Sequence, residues 1–302
     1  MNIQNNGFLY LFTDVIIIML KNNEDVREYV ENSLREGLNV KLVLGDDVKD
    51  IELIKTIIYS ANPLSTLVIT DNNVCLPFVK DCGLAIMGYM NYENEKINMQ
   101  DISLKINDIK YIVEELSQVD EDYFNLVFMR FHNLPLKIME TERTFIREMT
   151  IDDLPAMYEL YSGENVKKWT EALYEYEEEK KFTLAYIDGM YDFYGYGLWL
   201  VFEKVTGKLI GRAGISHRTI DEESCNELGY LIDDRYQRQG YGYEVCVAIL
   251  NYAKNKLGMI EMYLCTEPEN IASIRLAVKL GFTQKARIQT ETGLIDVYYL
   301  NF

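Results

Sequence analysis

The sequence predicts two successive units, an N-terminal α/β unit on a parallel sheet and a C-terminal α+β unit on a mixed sheet. Three observations carry that prediction. Apolar strand-like runs alternate with amphipathic helical runs through the first 130 or so residues, which requires crossover connections and a mainly parallel, Rossmann-like sheet. The pattern breaks over residues 133–143, where Pro135 ends a helix and Glu140-Thr141-Glu142-Arg143 is polar. The expected domains are therefore 1–136 and 141–302. Past the break, a hairpin signal and a glycine turn feeding a long helix replace the simple alternation.

In the first unit, residues 8–18 are β-rich. Residues 24–36 form a helix with apolar positions at Val26, Tyr29, Val30 and Leu34, stopped by Gly37. Strand 40–44, helix 48–60, strand 67–70, short helix 74–81 and strand 84–88 follow. The strands are apolar throughout, as in a sheet covered on both faces. Residues 109–116 and 121–131 read as closing helices. In the second unit, strand 144–148 leads to helix 152–162, with Thr150 as N-cap and Asp153 three residues on. A long helix follows over 177–194. Strands 198–203 and 208–216 are joined through Thr206-Gly207 as a hairpin. Then come strand 227–232, helix 240–257 stopped by Gly258, strand 260–265, helix 270–280 stopped by Gly281, and two closing strands.

The composition excludes several classes. The 302 residues are 48% hydrophobic and 26% charged, too apolar for a disordered chain. Thirty Lys and Arg against 48 Asp and Glu leave a net charge of −18. Nucleic-acid affinity comes mostly from cations neutralising phosphates, so no nucleic-acid partner is expected. Cys75, Cys82, Cys225, Cys246 and Cys265 are odd in number with no C-x-x-C spacing, which argues against disulfides and zinc and for a reducing compartment. With His132 and His217 as the sole histidines, no metal is expected. The apolar run 8–20 is interrupted by Asp14 and too short to span a bilayer. The expectation is a cytoplasmic protein without a membrane partner.

The chemistry concentrates between Glu227 and Gly242. Strand 227–232 feeds Asp233-Asp234-Arg235-Tyr236-Gln237-Arg238-Gln239-Gly240-Tyr241-Gly242, and a long helix begins inside that loop. Gly240 and Gly242 lack Cβ, so backbone N–H groups can close around a phosphate oxygen. The free N–H groups and dipole of the helix start favour an anion there. Gln237 offers a side-chain donor, and Arg235 and Arg238 offer charge. Neither the P-loop nor the three-glycine dinucleotide pattern is present. A structural glycine turn remains the alternative for the loop taken alone. A second segment, Asn270-Ile271-Ala272-Ser273 running to Lys279-Leu280-Gly281-Phe282, follows strand 260–265 at a suitable distance.

Together these two segments resemble the acetyl-CoA site of the GNAT superfamily of N-acetyltransferases. Gln237, Gly240, Gly242, Asn270, Ser273, Lys279, Gly281 and Phe282 stand at the matching positions, and the order of elements over about 141–302 matches too. The resemblance implies a mixed, splayed sheet with acetyl-CoA as cosubstrate. Its diphosphate would rest on Gln237, Arg238, Gln239, Gly240, Tyr241 and Gly242. Its pantetheine arm would pair with the backbone of Tyr230, Leu231 and Ile232, and Asn270 would hold the arm by its amide. It implies transfer of the acetyl group to a primary amine by direct attack through a tetrahedral intermediate, the acceptor being a small amine or a protein N-terminus.

That attack needs a free amine lone pair, hence a base. Glu227 opens the splayed strand, where the family often places one; a solvated strand-start residue is the alternative. A backbone N–H near Leu231 would serve the oxyanion. The family's frequent general-acid tyrosine is replaced by Ala277. In the branch acting on ribosomal-protein N-termini, which the segment 142–148 also resembles, a serine at the position of Ser273 is a candidate acid. Otherwise Ser273 packs along its helix. On the acceptor side, Phe193-Tyr194-Gly195-Tyr196-Gly197-Leu198-Trp199 can line a slot or engage a cation, with core packing the blander reading for Trp199. The acidic run 175–179 can attract a polyamine or basic peptide, or simply start a solvated helix. His217 is a second base candidate, with a loop histidine as the default.

Residues 7–132 resemble a reduced haloacid-dehalogenase-like domain. Leu11-Phe12-Thr13-Asp14 is similar to its first motif, Leu67-Val68-Ile69-Thr70-Asp71-Asn72 to its fourth, and 81–89 to the helix and strand that follow. No second aspartate stands two residues after Asp14, and Gly45 occupies the Ser/Thr position. The resemblance implies a degenerate unit that stabilises, dimerises (a homodimer) or gates the acceptor. The functional alternatives are an acyl-CoA-binding sensory or regulatory protein without turnover and, third, a Mg²⁺-dependent phosphohydrolase acting through Asp14 and Asp71.

Overall fold

The computed structural model describes residues 11–20, 22–71, 73–90, 109–220, 223–291 and 293–302. The start of the 8–18 strand and Asn72 of the fourth motif lie outside them. The chain divides into two compact units, Met1–Leu134 and Pro135–Phe302.

The first unit runs β1 Asp14–Met19, α1 Glu24–Arg35, β2 Asn39–Leu44, α2 Ile51–Tyr59, β3 Thr66–Thr70, α3 Leu76–Cys82, β4 Ala85–Tyr89, β5 Ile112–Val113 and α4 Glu121–Phe131. Short polar caps start its longer helices. Asn23 accepts from Val26 N at 2.8 Å, Asp50 from Leu53 N at 3.0 Å and Asp120 from Tyr123 N at 2.9 Å. All strand pairs are parallel, in the order β2-β1-β3-β4-β5. Alternate residues of β1 divide between two cores. Val15, Ile17 and Met19 pack with Tyr29 of α1 and Phe124 and Phe128 of α4. Ile16 and Ile18 pack with Ile54 and Ile58 of α2 and Val79 of α3. Both faces are thus covered, as the uninterrupted apolar strands require. Ile54 is fully buried, so Ile54→Ala is expected to lower stability by about 2–5 kcal/mol in urea unfolding. An unchanged midpoint would show that this face is loosely packed.

The strand order is the flavodoxin-like 2-1-3-4-5. Two expectations for this unit need correction. Residues 109–116 are not a helix; Ile112 and Val113 form an edge strand on Gly88 and Tyr89, and two residues are too few to show an alternation. Asp14 opens β1 instead of closing it. It pairs in register with Thr66, whereas Asp71 follows the far end of β3. Five residues at about 3.3 Å each separate the two carboxylates' levels by roughly 16 Å, so they cannot share one Mg²⁺. Asp71 instead accepts the Leu20 N–H with both oxygens at 2.9 Å. Asp14 accepts from Thr13, Asn39 and Ser65. A phosphohydrolase centre through this pair has no geometric basis.

The second unit runs β6 Lys137–Glu140, β7 Thr144–Arg147, α5 Leu154–Tyr161, α6 Glu164–Trp169, α7 Tyr176–Tyr186, β8 Leu198–Glu203, β9 Leu209–Ile220, β10 Glu223–Ile232, α8 Tyr241–Asn255, β11 Glu261–Thr266, α9 Ile271–Lys279, β12 Thr283–Thr290 and β13 Gly293–Asn301. Its sheet is ordered β12-β13-β11-β10-β9-β8-β7-β6. Thr150 and Asp153 form the expected capping box, and Arg147 clamps Asp153 at 2.6 and 2.8 Å. The single helix expected over 177–194 ends at Tyr186 and continues as a π-helical stretch, Ile187–Asp192. This carries the Tyr191 hydroxyl inward to donate to Leu198 O at 2.6 Å. The α6 helix and β6 strand lay in segments whose composition shows neither period. The core gathers Trp199, Ile215, Leu228, Val245, Ile249, Met262 and Leu264. No helix among the described residues is long and apolar enough to cross a membrane.

Candidate functional site

The sheet of the second unit opens where its direction changes. β10 pairs antiparallel with β9 along its whole length, from Glu223↔Ile220 to Ile232↔Gly211. With β11 it runs parallel and shares one register pair, Glu227↔Tyr263. Beyond that pair a cleft of about 1080 Å³ lies between Leu228–Ile232 and Leu264–Thr266. Buried backbone groups need partners, so the groups facing the gap are a ready edge for an extended ligand. Which groups they are follows from alternation. Asp233 N donates to Ile210 O at 2.8 Å, and Leu231 O lies hard against Gly211 of β9. Leu231 and Gly229 therefore turn their amides to β9, while Tyr230 and Ile232 turn theirs to the gap. The expectation placed Leu231 among the gap-facing groups; its parity with Asp233 removes it. The Ile232 carbonyl is already taken by Gln237 Nε2 at 2.8 Å.

At the end of the gap the glycine loop forms a cup. Gly240 caps α8 with φ +89°, and Arg238 has φ +63°. A side chain at Gly240 would force a left-handed conformation that L-residues rarely adopt. The first i→i−4 bond of α8 runs from Glu244 N to Gly240 O, which leaves the N–H groups of Tyr241, Gly242 and Tyr243 unpaired within the helix. Arg143, just before β7, braces the cup. It binds Glu244 through its backbone N and Nε at 2.8 and 2.7 Å, and Gln239 O through Nη1 at 3.0 Å. It also stacks 4.1 Å from the Tyr241 ring.

Two loop side chains are used differently from the expectation. Gln237 spends its amide on Ile232 O and Asp234, so it shapes the loop. Arg235 is neutralised by Asp233 at 2.6 Å and Glu159 at 3.0 Å. Gln239 donates to Arg235 O at 2.8 Å. The cations left over are Lys168, Arg238, Arg275 and Lys279. All four line the cleft, and none makes an ion pair among the described residues. Lys279 lies 3.9 Å from the Tyr243 ring.

Glu227 enters the same cleft from the other face of the sheet, since side chains alternate along β10 and Tyr230 shares its face with Leu228 and Ile232. Its carboxylate is largely buried and is held by Arg218 Nη1 at 3.0 and 3.1 Å. Burial raises its pKa above the ordinary glutamate value, opposed by Arg218 and by hydrogen bonds from Cys265. Burial, with Glu227 adding to it, pushes the Cys265 thiol up to about 12, so it stays protonated.

Across the gap, Asn270 is the N-cap of α9, its Oδ1 accepting from Ser273 N at 3.1 Å. That oxygen is therefore occupied, and its Nδ2 is the part left for a ligand. The Ser273 Oγ accepts from the Tyr230 hydroxyl at 3.1 Å. Ala277 is fully buried. Composition gave no sign of the Tyr230 hydroxyl, because its contact is set by the strand's register.

The expected acceptor residues separate. Trp199 is fully buried in the core. Tyr194 and Tyr196 gather around His217, which shares a 3.1 Å hydrogen bond with Tyr196. His217 pairs with Asn226, one residue from Glu227 and so on the opposite face. Neither His217 nor residues 193–199 line the cleft. Its wall is built by Asn165, Lys168, Trp169, Thr170 and Glu171 of and after α6. In the acidic run, Glu179 is buried and accepts from Tyr174 N at 3.0 Å, so the run is not uniformly solvated. Among the described residues, no group of three or more His, Cys, Asp or Glu is placed to hold a metal ion.

A parallel pair of strands thus parts beside an open helix start, and the cleft between them is edged by backbone groups. Residues 143–283 match the family described as "Acetyltransferase (GNAT) domain". The protein YkkB of Bacillus subtilis is 34% identical over 105 residues, 35% of this chain and 61% of that protein. The N-acetyltransferase YoaA of the same organism is 26% identical over 150 residues, 49% of this chain and 84% of that one. The crystal structure of an acetyltransferase from Agrobacterium tumefaciens overlays with a TM-score of 0.47 at 24% identity, covering 56% of this chain and 98% of that one. The family match and the similarity to these proteins thus lie in the C-terminal unit, and the chain spans about three fifths of the length of YkkB.

Proposed function

We propose that the C-terminal unit is an acetyl-CoA-dependent N-acetyltransferase acting on a primary amine, either a small amine or a protein N-terminus. The observation that carries this reading is the gap between β10 and β11, ending on the open helix start, in a cleft lined by Lys168, Arg238, Arg275 and Lys279. These residues fit a nucleotide thioester. The cup and cations suit the phosphates, and the gap-facing amides of Tyr230 and Ile232 suit an extended amide-bearing arm. Acetyl-CoA supplies the activated acyl group. Glu227 takes the proton from the attacking nitrogen, directly or through water, and the Tyr230 N–H faces the developing oxyanion. Trp169 and Glu171 form the acceptor wall, suited to a cationic amine.

A second reading, an acyl-CoA-binding protein without turnover, draws on Arg218 holding the Glu227 carboxylate. Binding is common to both readings. Acetyl-CoA at ~100 times its Kd is expected to stabilise the protein by about 2.7 kcal/mol, read as a rise in Tm. Release of CoA thiol across a panel of amines and N-terminal peptides separates the two. Binding without release would support the sensor; no shift in Tm would remove both.

A further inference from the structure

We propose that the Tyr230 side chain is a positioning residue for Ser273, fixing the serine hydroxyl so that its proton points at the sulfur of the bound thioester. The proposal rests on the acetyltransferase reading and deepens it.

Three observations support it. Ala277 leaves its turn of α9 without a hydroxyl. Ser273, one turn earlier, is 9% exposed and lines the cleft. The Tyr230 hydroxyl crosses from β10 to donate to Ser273 Oγ at 3.1 Å. A serine hydroxyl is a rotor with one proton and two lone pairs. With one lone pair engaged by Tyr230, the remaining proton is directed away from the tyrosine. Ser273 N is tied to Asn270 Oδ1 at 3.1 Å, so the serine backbone is fixed as well. The open direction is the cleft.

Burial holds the Tyr230 hydroxyl above the ordinary tyrosine range, so it remains a donor and does not surrender its proton. Ser273 likewise stabilises charge by hydrogen bonding without proton transfer. In the transfer step the N–C bond forms and the C–S bond breaks. The electron pair of that bond goes to sulfur, and the proton lost from nitrogen rests on Glu227. The thiolate leaves hydrogen-bonded to Ser273 and is protonated by solvent.

The test uses CoA itself, so it needs no acceptor. The thiol pKa of bound CoA is followed by thiolate absorbance against pH, with desulfo-CoA as blank, in the full-length protein. The wild type is expected to increase the thiolate-to-thiol ratio about tenfold over free CoA, the effect of one charge-assisted hydrogen bond. Tyr230→Phe should lose about threefold of that and Ser273→Ala all of it. The double variant should match Ser273→Ala, because Tyr230 acts only through the serine. Tyr230→Phe keeps the ring and its packing, and its Tm is measured alongside. An equal effect of Tyr230→Phe with and without Ser273, or weaker CoA binding with an unchanged thiol pKa, would overturn the proposal and leave the acetyltransferase reading standing. Failure of CoA to bind at all would overturn both.

Discussion

Glu227→Gln is expected to lower kcat by about 10²–10⁴-fold while leaving the Kd for acetyl-CoA unchanged. The residue lies at the one register pair that joins β10 to β11, on the face opposite the Tyr230 ring, so it can reach an acceptor without touching the nucleotide cup. Its raised pKa makes it a stronger base than an ordinary carboxylate, and Arg218 limits the rise. The sign of the pH dependence follows. The base works when ionised, so kcat/KM climbs with pH through the raised Glu227 value and loses that acid limb in the Gln variant. Removing Arg218's charge by Arg218→Gln moves the limb to higher pH. Stability has the opposite dependence on the same group. The unfolded chain releases this proton at the ordinary glutamate pKa, and the folded chain holds it longer. Ionisation therefore costs stability as pH rises from the ordinary toward the raised value, and Glu227→Gln removes that loss. A Gln variant with unchanged kcat across the pH range would eliminate Glu227 as the base.

The parts of this site that were legible in the sequence are those fixed by local backbone chemistry. Gly240 demands a left-handed turn before a helix, and Thr150 with Asp153 writes its own box. The parts that were not legible depend on register across strands. Tyr230 faces the gap and Leu231 does not because Asp233 pairs with Ile210, a long-range bond without a local signature. Gln237 resembles a phosphate donor in one dimension, yet its amide closes on Ile232 and Asp234 once the loop folds. The same limit misplaced Asp14. An aspartate beside an apolar run reads equally well as the end of the preceding strand or the start of the next, and only the pairing with Thr66 decides it. α6, which supplies part of the cleft wall, is a six-residue helix with one buried position, too short for a period.

Arg238→Glu together with Arg275→Glu is expected to weaken acetyl-CoA binding by about 10–100-fold at low salt, the scale of two exposed phosphate contacts reversed in sign. The whole molecule carries a charge of −18, so its far field opposes a polyanionic cosubstrate. The exposed cations at the cup must overcome that repulsion locally, over distances shorter than the roughly 10 Å screening length at 0.1 M salt. Arg235 cannot substitute for them, since Asp233 and Glu159 already hold it. The wild-type Kd, measured by calorimetry, should therefore weaken as salt rises. At about 1 M salt, with screening near 3 Å, the gap between variant and wild type should close, because the helix-start N–H groups that remain act at hydrogen-bond range. Identical affinity and identical salt dependence in the two proteins would place the phosphates elsewhere and remove the cup from the binding site.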